Sequence, residues 1–154
     1  MTIEMSTNDH IPDFKIMHDG TWIHDGAPIK REALAKLFGR RALKIDEDGY
    51  YWLQTPYEKY PIIVEDVPFV IVEYVLENGV INLRTNMDEH VAMTAAHPLE
   101  LRKNKVTGDI LPYVHLRDGL YARLGRSVYY ALVQEFGESV TSDGVTYPLG
   151  IMSE

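Results

Sequence analysis

Cations grouped beside imidazole and phenol side chains are the residues of this chain best suited to chemistry, and the chemistry they suit is holding an anion. In YVHLRDGLYARLGRSVYYALV, His115 and Arg117 alternate, so an extended strand would turn both to one side. Arg123 and Arg126 are spaced i,i+3 and Tyr130 follows Arg126 by four, so on a helix two guanidinium groups and a phenol share a face. With Tyr129 as the alternative ring, such a set can grip phosphate or carboxylate oxygens while an aromatic stacks on a base. The plain structural reading stays open beside it: the tyrosines finish a core, and Arg123 pairs with an acid such as Asp118. The functional reading expects Arg117 and Arg126 to meet at one cleft, with Arg102 as a solvated contrast.

Other candidates are thinner. Arg84, Thr85 and Asn86 end a strand-like run and offer donors to an anion, although Asn86 also suits a polar turn. Glu58 and Lys59 follow the Thr55-Pro56 break, and Glu65 and Asp66, if extended, face opposite ways. His18, His24, His90 and His97 form no recognisable metal array, and no cofactor or phosphate-loop motif is present. Ser127 has no evident base, so no catalytic residue and no cofactor is assigned. The chain has no cysteine, which excludes disulfides, thiolate metal sites and a cysteine nucleophile.

Charge limits the partners. Over 154 residues, 15 Lys and Arg stand against 23 Asp and Glu, for a net charge of -8. The average field therefore opposes generic duplex DNA and anionic membranes. Cations are nevertheless concentrated: residues 28–44 carry six against one acid, and residues 102–126 carry six against two. With no apolar run long enough to span a bilayer and no basic leader, the expected location is cytoplasmic.

The elements that would position these residues read as α+β. Residues 1–13 are polar and are expected to form a flexible arm. Phe14 and Ile16 alternate before an Asp19-Gly20 turn and Trp22, and APIKREALAKLF has helical spacing. Branched and aromatic runs from Lys44 to Asn86 predict sheet, with Asn78-Gly79 turning a hairpin between Phe69–Leu76 and Val80–Arg84. LYARLGRSVYYALVQEF predicts a helix ending at Gly137. Two stretches share one order: alternating strand, Asp-Gly, helix, Asp-Gly, aromatic strand. This predicts duplicated helix-plus-strand units at about 14–56 and 111–149, around a largely antiparallel sheet.

The strings DGTW, GAPI, TPYEKYPIIVEDVPF, LRTNMDE, HPLE, PYVHLRDGLYARLGRSVYYALV and YPLG resemble the bacterial family known as domain of unknown function 1285, from Phe14 to Gly150. The resemblance implies a duplicated α+β core, divided here as 14–65 and 66–150, whose C-terminal half resembles a pleckstrin-homology-like fold. It also implies a ligand cleft between the halves, taking nucleotide-like or nucleic-acid-based ligands in signalling. Matching positions that it marks as cleft residues are Glu58, Lys59, Arg84, Thr85, Asn86, His115, Arg117, Arg126 and Tyr129 or Tyr130.

The resulting expectation is a non-catalytic module binding an anionic small ligand or nucleotide between two units. An interaction module for an acidic peptide, with a protein partner in place of a small molecule, and an enzyme acting on a phosphorylated small molecule are the alternatives.

Overall fold

The computed structural model describes residues 14–28 and 42–150. Of APIKREALAKLF, Ala27 and Pro28 pair as a strand, not a helical first turn, and the rest of that expected helix and the N-terminal arm lie outside the described residues.

Two six-stranded sheets follow one after the other. The first contains β1 (Phe14–Ile16), β2 (Trp22–His24), β3 (Ala27–Pro28), β4 (Leu43–Ile45), β5 (Tyr51–Gln54) and β6 (Lys59–Val64). The second contains β7 (Phe69–Glu77), β8 (Val80–Thr85), β9 (His90–Ala92), β10 (Leu99–Lys103), β11 (Ile110–Arg117) and β12 (Leu120–Leu124). Helix α1 (Arg126–Phe136) and the hairpin β13 (Ser139–Ser142) and β14 (Val145–Pro148) complete the elements among the described residues.

The strand orders are β3-β2-β1-β6-β5-β4 and β10-β11-β12-β7-β8-β9. Read from the third strand inward, these are the same topology. Each unit is two antiparallel three-stranded meanders joined at the centre by a parallel pair, β1 with β6 and β7 with β12. The duplication is therefore real, and among the described residues its halves are antiparallel-sheet units spanning 14–64 and 69–124, so the second repeat starts well before the expected 111. Asp-Gly pairs misled because they turn hairpins wherever hairpins occur. Asp48-Gly49 turns β4 into β5, whose counterpart in the second unit is turned at Thr107-Gly108.

The helix also starts later than its spacing predicts. Residues 120–124 are a strand paired to β11 and β7, so Arg123 lies on a sheet and is not an i,i+3 helical neighbour of Arg126. Gly125 makes the break. Its N–H donates to Ile71 O at 2.9 Å, and a Cβ there would sit 2.7 Å from that same oxygen. Helix α1 then buries Val128, Tyr129 and Leu132. They join Phe69, Ile71, Leu83, Val114, Ala122 and Leu124 in one apolar cluster that also reaches Ile16, Trp22, Leu43 and Ile62 of the first sheet. Burial of each such large side chain stabilises by roughly 1.5–3 kcal/mol.

The turn from β6 into β7 is where the units are fastened. Glu65 accepts the His18 N–H at 2.9 Å and pairs with Lys15 at 3.4 Å. Its neighbour Asp66 is buried, taking the Tyr113 hydroxyl at 2.6 Å, Asn104 Nδ2 at 3.2 Å and the Lys105 N–H at 3.0 Å. Adjacent acids thus serve opposite sides, and both are structural ties. Arg123 adds another, its Nη2 donating to His18 O at 2.9 Å and Nη1 to Leu124 O at 3.0 Å.

Candidate functional site

The face of the second sheet that carries Tyr113 approaches the first unit where Arg123 bonds His18 O and where Gly119, in the turn between β11 and β12, lies against Ile45. Register puts Tyr113 opposite Glu100 on one side and Arg123 on the other, so Arg102 and Tyr121 are its diagonal neighbours on the same face. They reach toward one another. The Arg102 guanidinium carbon stands 4.1 Å from the Tyr121 ring centroid. The nearest carboxylate to that guanidinium, Glu100, is 3.8 Å from Nε, a loose approach. A guanidinium over a ring face is held by the cation–π attraction and still has N–H groups that can donate to a carboxylate or phosphate.

His115 extends the row. Its ring meets Tyr121 edge-on at 5.1 Å and lies parallel to His97 at 6.2 Å. His97 Nδ1–H donates to His115 O at 2.9 Å. His115 Nε2 accepts the Gly119 N–H at 3.1 Å, so its own proton lies on Nδ1. From the first sheet, Ile45 lies 3.3 Å from where a Gly119 Cβ would be, and Tyr51 lies within the field of Arg102. Burial raises the Tyr51 hydroxyl pKa, the Asp66 charge raises it further, and Arg102 pulls it back, which places Tyr51 in the field of both.

The other expected residues go elsewhere. Arg117 does not share a face with His115. A register shift between them pairs His115 with Tyr121 but Arg117 with Leu120, a core residue, so alternation is broken by a bulge. Arg117 instead clasps Glu89, Nε to Oε2 at 2.9 Å and Nη2 to Oε1 at 2.8 Å, and that bond keeps its guanidinium more firmly protonated than usual.

Arg84, Thr85 and Asn86 are brought close to this pair through the β8–β9 turn, but as builders of it. Arg84 bonds Glu73 at 2.8 Å and Asp88 at 3.0 Å. Thr85 is fully buried, and its hydroxyl accepts from the N–H groups of Met87 and Glu89. Asn86 Oδ1 accepts the Val70 N–H at 3.2 Å, and its Nδ2 reaches Gly20 O at 3.4 Å.

Glu58 accepts the Tyr60 hydroxyl, and Lys59 Nζ lies 4.3 Å over the Trp52 ring on the outward side of the first sheet. Arg126 opens helix α1 beside Tyr130, 3.4 Å from Nη1 to the hydroxyl. Tyr129 is buried and Tyr130 is 42% exposed, so the first belongs to the core and the second to the surface. Of the expected set, His115 alone lies beside Tyr121, the ring that Arg102 also approaches. Among the described residues no cluster of His, Asp and Glu suits a metal ion, and no helix is long and apolar enough to cross a membrane.

Two family models together cover this architecture. The domain of unknown function DUF1285, N-terminal domain, matches residues 7–67, and the protein of unknown function DUF1285, C-terminal domain, matches residues 68–153. The chain belongs to the DUF1285 family. A crystal structure of a DUF1285 family protein from Silicibacter pomeroyi DSS-3 is 32% identical, with TM-score 0.79, and the match covers 90% of this chain and 80% of that one. Another, from Shewanella baltica OS155, is 30% identical with TM-score 0.63, covering 82% of this chain and 94% of that one. The comparison with curated proteins finds no match.

Proposed function

We propose that this DUF1285 protein is a non-catalytic module that binds an anionic small molecule, nucleotide-like in its combination of charge and planar ring, in the groove between its two sheet units. One observation carries the reading: the Arg102 guanidinium carbon stands 4.1 Å from the Tyr121 ring centroid, while Glu100 comes no nearer than 3.8 Å to its Nε. Arg84 and Arg117, by contrast, already hold carboxylates at 2.8 Å. Tyr121 and Tyr51 supply apolar walls, and His115 Nδ1–H supplies a neutral donor whose orientation is fixed by Gly119.

The test is nuclear magnetic resonance of the isotope-labelled chain titrated with nucleoside monophosphates, nucleoside diphosphates and sugar phosphates. Amide shifts centred on Tyr51, Arg102, His115 and Tyr121 are expected with at least one compound. Shifts confined to Arg126 and Tyr130, or none with any anion, would refute the reading.

A further inference from the structure

The outward face of the first sheet departs from the charge of the rest of the chain. Phe14, Ile16, Trp22, Leu43, Leu53 and Ile62 turn inward and are buried. Register then commits the alternate positions to the other side: Ile23, Lys15 and Ile63 form one cross-strand row, and Lys44, Trp52 and Pro61 another. Lys59 faces the same way beside Gln54. These strand positions hold three lysines and no acid, in a chain with 23 acids against 15 bases. The face is also apolar between its charges, with Ile63 60% exposed. The acids that touch it stand at its margins, Glu65 beside Lys15 and Asp46 on the Trp52 indole.

The opposite combination occurs at the far end of the second unit. The β7–β8 and β13–β14 hairpin tips lie side by side, joined by the Asp143 N–H donating to Gly79 O at 2.8 Å. They expose Val75 (51%), Leu76 (46%) and Val145 (41%) together with the acids Glu77 and Asp143. Neither VLENGV nor DGVT contains a basic residue.

We propose that the lysine face of one copy receives the acidic hairpin tips of a second copy of this chain. Each surface is apolar at its centre, and the two are opposite in charge, which is what desolvation and register both require of a contact. Because the two surfaces differ, the contact is head-to-tail and leaves one face free at each end unless a ring closes. With few apolar side chains on either side, the association is weak, concentration-dependent and weakened by salt. It involves none of the groove residues.

Sedimentation equilibrium of the full chain tests this, first at rising concentration in low salt, where the mean mass should climb above 17.6 kDa. The double variant Lys44→Glu with Lys59→Glu carries acid on both surfaces. The double variant Glu77→Lys with Asp143→Asn removes acid from the tips and leaves both surfaces basic or neutral, and Asn tolerates the positive φ of 53° at residue 143. Each alone should lose at least about tenfold in association constant. Mixing the two should restore association, because reversed face then meets reversed tip. Ile63→Ser, which alters no charge, should also weaken self-association, and circular dichroism confirms the fold of each variant. A wild-type chain that stays monomeric at every concentration, charge reversals without effect, or a mixture that fails to recover would each overturn the proposal.

Discussion

Arg117 and Glu89 are joined by two parallel charge-assisted hydrogen bonds, at 2.9 Å and 2.8 Å, that tie the end of β11 to the turn between β8 and β9. Glu89 is the more buried partner, with its side chain 17% exposed. Arg117→Ala leaves that carboxylate without its fork and is expected to destabilise the fold by about 1–3 kcal/mol, while sparing anion binding in the groove. Urea denaturation alongside ligand titration separates the two effects. Lost binding with unchanged stability would return Arg117 to the site.

Two tyrosines make stability fall at alkaline pH. Burial and the Asp66 carboxylate raise the Tyr113 hydroxyl above its ordinary pKa, and the bond to Glu135 pushes Tyr74 up to about 12 from an ordinary 10.0. A tyrosine whose pKa is higher in the folded state gives its full stabilisation below the unfolded value and loses it as pH rises through the folded value. Stability should therefore decline from about pH 10 upward. Tyr113→Phe and Tyr74→Phe should each flatten part of that slope, which denaturation midpoints across the range would reveal; an unchanged slope in both would contradict the assignment.

Gly125→Ala should destabilise the protein even though alanine favours a helix. Gly125 has φ -65°, which any residue adopts, so the obstacle is space: a Cβ would meet Ile71 O at 2.7 Å, and that oxygen already accepts the Gly125 N–H. A loss of roughly 1–3 kcal/mol follows from forcing the helix start away from β7. A melting temperature equal to or above wild type would show that the two backbones separate freely.

Much of the sheet is written locally in the chain. Asn78-Gly79 between two branched runs announces β7 and β8, because positive φ at both residues of a two-residue turn restricts the types allowed, and Asp19-Gly20 marks the first hairpin through the positive φ of Gly20 in a five-residue loop. The start of α1 is not written so plainly. Leu120, Leu124, Val128 and Leu132 recur every four residues as a helix would have them, yet Leu120, Ala122 and Leu124 also alternate as a strand. Partnership with β11 and β7 decides between the two periods, and that partnership is non-local.

The same holds at the groove. A one-residue bulge separates Arg117 from His115, and no spacing rule announces it. Arg102 reads as an ordinary surface cation because Tyr121 is distant in sequence, and Tyr51 because its neighbours belong to the other unit.

A thermal-shift screen of nucleotides and phosphorylated metabolites, run on wild type and Arg102→Ala in parallel, reads out the anion site at Arg102. At 43% exposure the Arg102 side chain can be truncated with little cost to the fold, so the two proteins should melt alike without ligand. The account predicts at least one anionic compound that raises the melting temperature of wild type and not of Arg102→Ala, with affinity lowered on the order of 10- to 150-fold by loss of one charge-assisted contact. Compounds that stabilise both proteins equally, or no stabilising anion at all, would contradict it.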